Sequence, residues 1–242
     1  MRQIGDYHTH TVYSHGKSTI EENVLEAMEK GLKTIAIAEH GPGHVFYGVS
    51  WNNLMKMKEE IIELRKKYSD KIEILMGLEA NIIDFKGNLD ITKEQASELD
   101  FIACGYHNGV IPKDFKGKLL YSPFKQFKNF SKTLDRKIIE YATDSMIKAT
   151  YNYDIKFLTH PGAKFFVDAK RLAKEMNKNT LLEINNKHGY LDVDQLRLIK
   201  DDDVRFIINS DAHRKIDVGN VEKAMERIVE SGIDINKVVN IE

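Results

Sequence analysis

Short apolar runs, many of them β-branched, alternate along the chain with longer segments in which apolar residues recur with a helical period. We predict strands over residues 3–10, 33–38, 71–76, 99–103, 155–158, 180–184 and 204–208. The main helices are predicted over residues 18–28, 51–68, 133–151 and 219–231. Such alternation is typical of repeated βα units, in which parallel strands are covered by helices. The pattern therefore favours an α/β barrel related to the (βα)8 type.

Two of the predicted helices begin at residues suited to capping. Ser18 and Glu21 have the spacing of a capping box, in which each side chain accepts a hydrogen bond from the backbone of the other residue. Gly31 is the predicted end of that helix. Ser50 is predicted to cap the helix that begins at Trp51.

Length, composition and charge limit the class of protein. With 242 residues and 42% hydrophobic content the chain can bury a substantial core, and we expect one domain over residues 1–242. The formal net charge of −1 gives no global basic field for binding nucleic acid. No stretch approaches the ~20 apolar residues of a membrane-spanning helix, and residues 1–6 lack the apolar core of a signal peptide. We therefore predict a cytoplasmic protein with no membrane partner.

The single cysteine, Cys104, restricts the available chemistry. It cannot form an internal disulfide, and a thiolate zinc site needs several cysteines. Because Cys104 follows an apolar predicted strand, we expect a buried small hydrophobic residue rather than a nucleophile. Any metal chemistry must therefore depend on imidazole and carboxylate groups.

Two pairs of potential metal ligands lie near opposite ends of the chain. His8 and His10 end the first predicted strand, and Asp211 and His213 follow the last one. Residues two apart in a strand point to the same face, so each pair can reach one cation. The other imidazole and carboxylate groups that follow predicted strands are His15, His40, Glu79, His107 and His160. Since barrels of this kind build their sites at the carboxyl ends of the strands, we expect these groups to converge.

Four short blocks of sequence carry a resemblance to a known family. They are His8-Thr9-His10-Thr11 with His15, Glu39-His40-Gly41, His160-Pro161-Gly162 and Ser210-Asp211-Ala212-His213. Through the order and spacing of these blocks, the chain resembles the polymerase and histidinol phosphatase (PHP) family over essentially its whole length. Residues 183–186 and 238–242 also resemble the compact, stand-alone phosphatase branch. Glu39 stands where the family more often has aspartate, which puts a longer supporting carboxylate beside His40.

The resemblance implies a distorted seven-stranded (βα)7 TIM-like barrel with a trinuclear metal centre. In matching positions, one ion would be bound by His8, His10, Glu79 and Asp211. Glu79 would bridge to a second ion bound by His107 and His160, and a third would be bound by His15, His40 and His213. Glu79 and Asp211 would act in catalysis through the metals. Zinc, manganese and iron all suit these ligands, so the identity of the three divalent ions stays open.

Three divalent ions attract an anionic ligand, and a phosphate group is the natural one. We therefore predict a phosphoesterase that hydrolyses a small phosphomonoester by attack of a metal-bridging hydroxide. The alternatives are a phosphodiesterase or nuclease acting on short oligonucleotides or nucleotides, and a histidinol phosphatase. A non-catalytic metal-binding module is disfavoured because all nine ligand positions are filled. An amidohydrolase on a similar barrel would leave His15, His40 and His213 unexplained.

Substrate contacts are expected beside this centre. Lys187 and Arg214 are the nearest cationic candidates for a phosphate contact, and His188 follows the sixth predicted strand, where it can face substrate. The histidinol phosphatase branch tends to carry an arginine in that loop, whereas Arg197 lies well beyond it here, which disfavours histidinol phosphate. We expect His44 to be an exposed loop histidine, with a proton donor and an accessory metal ligand as the alternatives.

Residues 113–137 combine positive charge with aromatic rings. The segment contains eight Lys or Arg against two Asp, and its aromatic residues are Phe115, Tyr121, Phe124, Phe127 and Phe130. Such a segment can bind a strand of nucleic acid or a phosphorylated aromatic compound. The rings at 124, 127 and 130 also approximate one face of a helix. We favour packing of these rings onto the barrel, with the segment as a lid over the metal centre.

Overall fold

Seven parallel strands form one sheet whose strand order follows the chain. The computed structural model describes residues 2–115, 118 and 132–242. The strands are β1 (Gly5–Thr9), β2 (Thr34–His40), β3 (Glu73–Asn81), β4 (Phe101–Gly105), β5 (Ile155–Leu158), β6 (Leu181–Asn185) and β7 (Phe206–Asn209). The sheet curls until β1 meets β7, where His10 N–H donates to Ala212 O at 2.8 Å. The predicted seven-stranded barrel is thereby confirmed.

The barrel is distorted at the β1–β7 seam. Among the described residues, a single bridge between Thr9 and Ala212 pairs the two sides, and β1 shifts register against β2 between Asp6 and Thr9. Side-chain amides form hydrogen bonds with further backbone groups of these two strands. Asn209 Oδ1 accepts from Tyr7 N–H at 2.9 Å, and Asn240 Nδ2 donates to two carbonyls, one on each strand. These bonds close the barrel where a regular ladder would otherwise leave buried backbone groups unpaired.

Seven helices are described, most of them between consecutive strands. They are α1 (Ile20–Glu29), α2 (Trp51–Lys67), α3 (Lys93–Ala96), α4 (Lys132–Asn152), α5 (Ala169–Glu175), α6 (Val193–Ile199) and α7 (Glu222–Ser231), with 3-10 turns at Lys215–Asp217 and Ile235–Lys237. The four predicted helices correspond to α1, α2, α4 and α7. We did not predict α3, α5 and α6, because segments of four or seven residues are too short to display a helical period.

Two details of the sequence prediction were wrong. The N-cap of α1 is Thr19 rather than Ser18, since Thr19 accepts from Glu22 N–H and Glu22 accepts from Thr19 N–H. The Ser18 hydroxyl instead accepts from Lys215 N–H at 2.7 Å. The third strand continues to Asn81, so Glu79 lies within β3 rather than after it. The cap at Ser50 is confirmed.

The inward face of the barrel changes from apolar to polar along the strands. Near the amino ends a separate buried cluster fills the interior, formed by Ala36, Ala38, Phe101, Ala103, Phe157, Leu181 and Ile207. Gly77 admits the Phe101 ring, because a Cβ at that position would overlap it. Two residues further along their strands, on the same face, lie His40, Glu79 and Glu183. The strand period therefore places polar groups on a packed apolar floor.

The outward face of the strands packs under the helices. Ile35, Ile37, Leu78 and Ile208 belong to the larger core together with the buried face of α1 and α2. Cys104 lies in this core and is fully buried, which raises the pKa of its thiol. The prediction that Cys104 is a structural residue is confirmed.

Most of the basic aromatic segment, residues 113–137, lies outside the described residues, so its prediction as a lid stays a prediction. Within the described ranges, no helix has both the length and the apolar content needed to cross a membrane.

Candidate metal centre

Glu79 lies at the middle of a group of imidazoles at the carboxyl end of the barrel. Its side chain is fully buried. Oε1 lies 2.8 Å from His160 Nε2, 2.9 Å from His107 Nε2 and 3.2 Å from His8 Nε2. Because β3 pairs with β2 and β4, this carboxylate faces residues delivered by strands on both sides.

The second oxygen of Glu79 faces a different set of rings. Oε2 lies 2.8 Å from His40 Nδ1 and 3.7 Å from His10 Nε2. Both atoms are buried, and apart from this approach neither has a polar partner at hydrogen-bond distance among the described residues. The two oxygens of Glu79 therefore contact different imidazoles.

Asp211 lies close both to the first predicted pair, His8 and His10, and to its own partner His213. Its Oδ1 lies 3.5 Å from His10 Nε2, 4.0 Å from His8 Nε2 and 3.3 Å from His213 Nδ1. The bonds across the β1–β7 seam bring these residues together although about two hundred positions separate them in the chain. The fold therefore brings the two predicted pairs together.

His15 lies at the outer side of the group. Its ring stacks on His40, with centroids 4.8 Å apart, and approaches His213 edge-on at 4.1 Å. The structure thus gathers all nine predicted donors at one end of the barrel. Five overlapping triplets have ligand atoms within 4.8 Å of one another: His10-His40-His213, His8-His10-Asp211, His8-Glu79-His160, His40-Glu79-His107 and His160-His188-Asp211. His15 enters none of them, whereas His188, predicted as a substrate contact, enters one.

Two of the donors adopt strained backbone conformations. Among the described residues, only three other than glycine have positive φ, and they include His160 at 28° and Asp211 at 54°. Such conformations cost free energy and persist where the surrounding structure enforces them, as at functional sites. The strain directs both side chains into the centre.

The buried carboxylates carry negative charge within the barrel. Burial by itself raises the pKa of Glu79, but the imidazoles of His107, His8 and His40 hold this pKa well below its usual range. Burial likewise opposes ionisation of Asp211, but the positive charge of His8 and the close approach of the His10 imidazole hold its pKa well below normal. Both groups therefore remain anionic and need positive charge beside them.

The imidazoles divide into two groups by their surroundings. Burial lowers the pKa of His8 and His160, but neighbouring carboxylates, above all Glu79, more than offset this effect and raise the pKa of both rings. Burial lowers the pKa of His15 to about 4 and, together with the nearby His10, lowers the pKa of His213 to about 3. The surroundings of the inner rings thus favour positive charge, which bound cations would supply in place of protons, and the outer rings are neutral and free to act as ligands.

Several buried nitrogen and oxygen atoms of the donor group have no hydrogen bond, and they show whether metal ions fit. In the described part of the chain these include His8 Nε2, both ring nitrogens of His10, Nδ1 of His15, His40 and His160, and Glu79 Oε2. Unpaired buried nitrogen and oxygen atoms are costly unless a ligand satisfies them. Nitrogen and carboxylate ligands without thiolate suit zinc, manganese and iron. The residues therefore fit bound divalent cations.

Hydrogen bonds behind the donors fix the direction of two rings. His8 Nδ1–H donates to Glu183 Oε1 at 2.8 Å, so Nε2 is the atom that faces Glu79. His107 Nδ1–H donates to Asn81 Oδ1 at 2.7 Å, and Asn81 Nδ2 donates to the half-buried Asp90 at 2.6 Å. Such partners hold a metal-binding imidazole in one tautomer and orientation. The sequence offered no sign of the roles of Asn81 and Asp90.

Glu39 supports the centre from beside His10, whereas the sequence placed its carboxylate beside His40. It accepts hydrogen bonds from Thr11 N–H at 2.9 Å and from the hydroxyls of Thr11 and Ser14. Its Oε2 also lies 3.7 Å from His10 Nδ1. The carboxylate therefore holds the loop after β1 against the donor group.

A cavity of about 400 Å³ lies over the donors. Of the three predicted substrate contacts, two line this cavity and one does not. Lys187 and His188 line it, and Lys187 Nζ lies 3.0 Å from His213 Nδ1 and 3.5 Å from Asp211 Oδ1. Arg214 does not line it. Its guanidinium donates instead to Asp217 at 2.8 and 2.9 Å, so the prediction of Arg214 as a phosphate contact lacks structural support.

His44 is not the exposed loop histidine that we expected. It is only 8% exposed and lines the cavity, because its Nδ1 accepts from Phe46 N–H at 3.3 Å and Tyr47 N–H at 3.1 Å. The other cavity residues missed by the sequence analysis include Phe46, Tyr47, Asn108 and Lys164. They lie on three loops, after β2, β4 and β5, that meet only in the fold, and no local motif marks them.

A parallel barrel with buried imidazoles and carboxylates beneath a cavity defines a metal-dependent hydrolase. The model of the PHP domain family matches residues 6–195. A probable phosphatase of Thermoanaerobacter sp. (strain X514) is 31% identical, over 99% of this chain and 91% of its own length. The chain therefore belongs to the PHP family, as the sequence blocks predicted, and it is a metal-dependent phosphoesterase.

Further relatives extend this similarity. A probable phosphatase of Acetivibrio thermocellus is 27% identical over 99% of this chain and 92% of its own length. The fold is similar to the histidinol phosphate phosphatase of Lactococcus lactis in complex with zinc, L-histidinol and phosphate (TM-score 0.62, 17% identity, 97% and 95% of the two chains). A putative histidinol phosphatase of Listeria monocytogenes gives a TM-score of 0.63 at 18% identity, covering 89% and 97%. At these identities, the two structures show a shared fold.

Proposed function

We propose that the protein hydrolyses a small phosphomonoester at a centre of three divalent cations. The observation that carries the proposal is the position of Glu79, whose two oxygens face different imidazoles on the floor of the cavity. A carboxylate in this position can hold two cations together and offset their mutual repulsion. Bound there, the ions would supply Lewis acidity and a water of lowered pKa, which is the chemistry that phosphoester hydrolysis needs.

The proposed partition of ligands follows the contacts around the two carboxylates. The first set is His8, His10, Glu79 and Asp211, which the short distances to Asp211 Oδ1 support. The second is Glu79, His107 and His160, whose two Nε2 atoms lie 3.3 Å apart beside Glu79 Oε1. The third is His15, His40 and His213, supported by the contacts of the His15 ring with the other two. His188 is a further donor available beside His160 and Asp211.

Two lysines give the cavity positive charge with which to attract phosphate. Lys187 lies beside His213 and Asp211, at one side of the donors. Lys164 Nζ donates to Asn108 Oδ1, and burial lowers the pKa of this lysine. Neither ammonium has a carboxylate partner outside the donor group within the described residues. We propose that both contact anionic oxygens of the substrate.

The cavity suits a small monoester, and its lining gives no support to histidinol phosphate in particular. Its volume suits a metabolite-sized ligand. The Lactococcus enzyme binds L-histidinol and phosphate, but at 17% identity this substrate does not transfer to the present chain. In the loop after β6, Lys187 and His188 line the cavity. The first arginine after this strand is Arg197, which donates hydrogen bonds to the Asp194 carboxylate and the Glu230 carbonyl instead. No described arginine therefore lines the cavity.

Metal reconstitution tests the proposal. Protein stripped with a chelator is reloaded with Zn²⁺, Mn²⁺ or Fe²⁺ and assayed on p-nitrophenyl phosphate and bis-p-nitrophenyl phosphate. We expect turnover of the monoester with at least one metal, slower turnover of the diester, and no turnover by the stripped protein. Glu98→Gln, a change in an exposed surface ion pair, provides the control variant. Preference for the diester would contradict the monoesterase assignment, and inactivity on both substrates with every metal would refute a phosphoesterase.

A further inference from the structure

We propose that Arg227 is a positioning residue that holds Lys187 in place to receive the substrate phosphate. This inference rests on the proposed phosphomonoesterase function, in which Lys187 contacts the substrate phosphate. Arg227 itself lies on α7 and does not line the cavity. It acts through the β6 loop, residues 185–191, which carries Lys187 into the cavity.

The guanidinium of Arg227 binds both ends of the β6 loop. Its Nη2 donates to Asn185 O at the start of the loop. Its Nη1 donates to Tyr190 O at 2.7 Å and to Leu191 O at 3.2 Å at the end of the loop. A planar guanidinium presents its donors in a fixed fork, whereas the ammonium of a lysine is a single point of charge. Arg227 therefore fixes the distance between the two ends of the loop.

The surroundings of Arg227 differ from those of a surface arginine. It is half-buried, and in the described part of the chain its hydrogen bonds all go to backbone carbonyls. Burial lowers the pKa of its guanidinium, because burial disfavours the charged form. Arg197 and Arg214, by contrast, each donate to a neighbouring carboxylate at the surface. Because taking a charge out of water costs free energy, the position of Arg227 indicates a requirement at the β6 loop.

The β6 loop is strained at one end and internally bonded at the other. Leu191 is buried with a φ of 51°, which makes it the third described residue other than glycine with positive φ. Such a conformation persists where its surroundings enforce it, and Arg227 bonds its carbonyl. At the other end, Asn185 Oδ1 accepts from Lys187 N–H at 2.9 Å and from His188 N–H at 2.8 Å. The backbone of Lys187 therefore depends on Asn185, whose carbonyl Arg227 holds.

Lys187 needs this support because its side chain is only partly enclosed. Its Nζ lies 3.0 Å from His213 Nδ1 and 3.5 Å from Asp211 Oδ1, at the edge of the donor group. The side chain is 44% exposed, so its direction depends on the backbone that carries it. An ammonium that is already in position loses less conformational entropy when phosphate binds. Arg227 thus assists phosphate binding without touching the phosphate.

Steady-state kinetics on p-nitrophenyl phosphate test this role in the metal-reconstituted protein. Arg227→Met keeps the apolar stem of the side chain and removes the guanidinium. We expect KM to rise about tenfold with kcat nearly unchanged, because the bound substrate and the transition state lose the same contact. A merely structural role would instead lower kcat, through loss of active protein, and leave KM as it is. Arg227→Lys should keep the raised KM, because a lysine cannot bind both ends of the loop.

A control and a double-mutant cycle show whether the effect passes through Lys187. Arg197→Met, the same change at a surface arginine that also bonds a backbone carbonyl, should leave both kinetic constants unchanged. Lys187→Met should itself raise KM, and Arg227→Met should raise it little further in that background. An equal rise in KM in both backgrounds, or an unchanged KM in Arg227→Met alone, would overturn the inference. Circular dichroism confirms that each variant is folded.

Measurements without turnover separate failure of this inference from failure of the proposed function. Calorimetry measures the affinity of the zinc-loaded protein for inorganic phosphate, and hydrogen exchange measures protection of the Lys187 and His188 amides. In Arg227→Met we expect about tenfold weaker phosphate binding and faster exchange of these amides.

The outcomes of these two measurements differ for the two proposals. If no monoester is hydrolysed but Arg227→Met shows both changes, the phosphatase proposal fails and the role of Arg227 stands. If monoesters are hydrolysed but Arg227→Met binds phosphate as tightly as the native protein, the role of Arg227 is refuted and the phosphatase proposal stands. Absence of phosphate binding by the native zinc-loaded protein would refute both.

Discussion

At the scale of single residues, the chemistry depends on which atom of each imidazole faces the centre. The period of two in a strand predicted that His8 and His10 share a face, and the structure agrees with it. The sequence could not predict that His8 Nδ1 donates to Glu183, a residue 175 positions away, because this contact exists only once the barrel closes. The same holds for His107 and Asn81. Ligand identity could be predicted from local spacing, whereas ligand orientation could not.

Removing the charge of Glu183 should weaken metal binding without removing a proposed ligand. Glu183 accepts hydrogen bonds from His8 Nδ1, His160 N–H and the side-chain amides of Asn185 and Asn209. In Glu183→Gln an amide NH2 would face some of these donors, so we expect zinc affinity to fall about 10- to 100-fold. We also expect a loss of roughly 3 kcal/mol in the free energy of unfolding, because a fully buried network is broken.

Competition with a chromophoric chelator measures the zinc affinity of this variant, and urea unfolding measures its stability. Glu175→Gln is the matched control, since Glu175 pairs with Arg171 on the surface and should contribute less than about 1 kcal/mol. Unchanged zinc affinity in Glu183→Gln would show that this carboxylate has no part in orienting His8.

Competition between neighbouring residues explains the sequence prediction that found least support. Arg214 was the nearest arginine to the last pair of donors, but Asp217 lies one helical turn away and binds the guanidinium at the surface. Lys187 has no such local partner and reaches the cavity. His44 was predicted to be exposed, but the backbone N–H groups of Phe46 and Tyr47 donate to its ring and keep it buried. Backbone hydrogen bonds of this kind leave no pattern in the side chains of the sequence.

At the scale of elements, long periodic segments were predicted well and short ones were not. The helices α2 and α4 have nearly the predicted bounds, since their apolar periods extend over enough residues to be seen. The helices α3, α5 and α6 are too short for that. The strand β3 was predicted to stop at Met76, but it continues through Gly77, where the missing side chain makes room for the Phe101 ring.

The close contact at Gly77 gives a test of how β3 positions Glu79. A methyl group there would overlap the Phe101 ring, so we expect Gly77→Ala to lower the free energy of unfolding by roughly 2 kcal/mol through overpacking. Adding Phe101→Leu should recover part of this loss, which a double-mutant cycle in urea measures. Gly189→Ala, where a Cβ meets nothing within 4 Å, is the control and should be nearly neutral. Equal stability of Gly77→Ala and Gly189→Ala would contradict the packing described.

At the scale of the whole molecule, closure of the barrel gathers unpaired polar groups at one end. The apolar floor and the helices stabilise the fold, whereas the buried nitrogen atoms and carboxylates of the centre reduce stability unless cations satisfy them. The β1–β7 seam serves the same purpose, because Thr9 and Ala212, which bridge it, directly follow the donors His8 and Asp211. Stability and function are therefore linked through the metal ions.

Metal removal should accordingly destabilise the protein. Ions that bind only the folded state stabilise it by about 2.7 kcal/mol at one hundred times their dissociation constant. We expect the unfolding temperature to fall by several degrees after chelation and to recover with added Zn²⁺, increasing with its concentration. Mg²⁺, which prefers oxygen ligands, should restore little of it. Identical melting curves with and without zinc, measured by differential scanning calorimetry, would contradict this linkage.

Metal content in Glu79→Gln tests the central claim most directly. If Glu79 joins two cations as its two oxygens suggest, elemental analysis should find three ions per chain in the reconstituted native protein and at most one in Glu79→Gln. The surface variant Glu98→Gln should retain all three. Loss of a single ion from Glu79→Gln, or a native protein that binds fewer than three ions, would contradict the account.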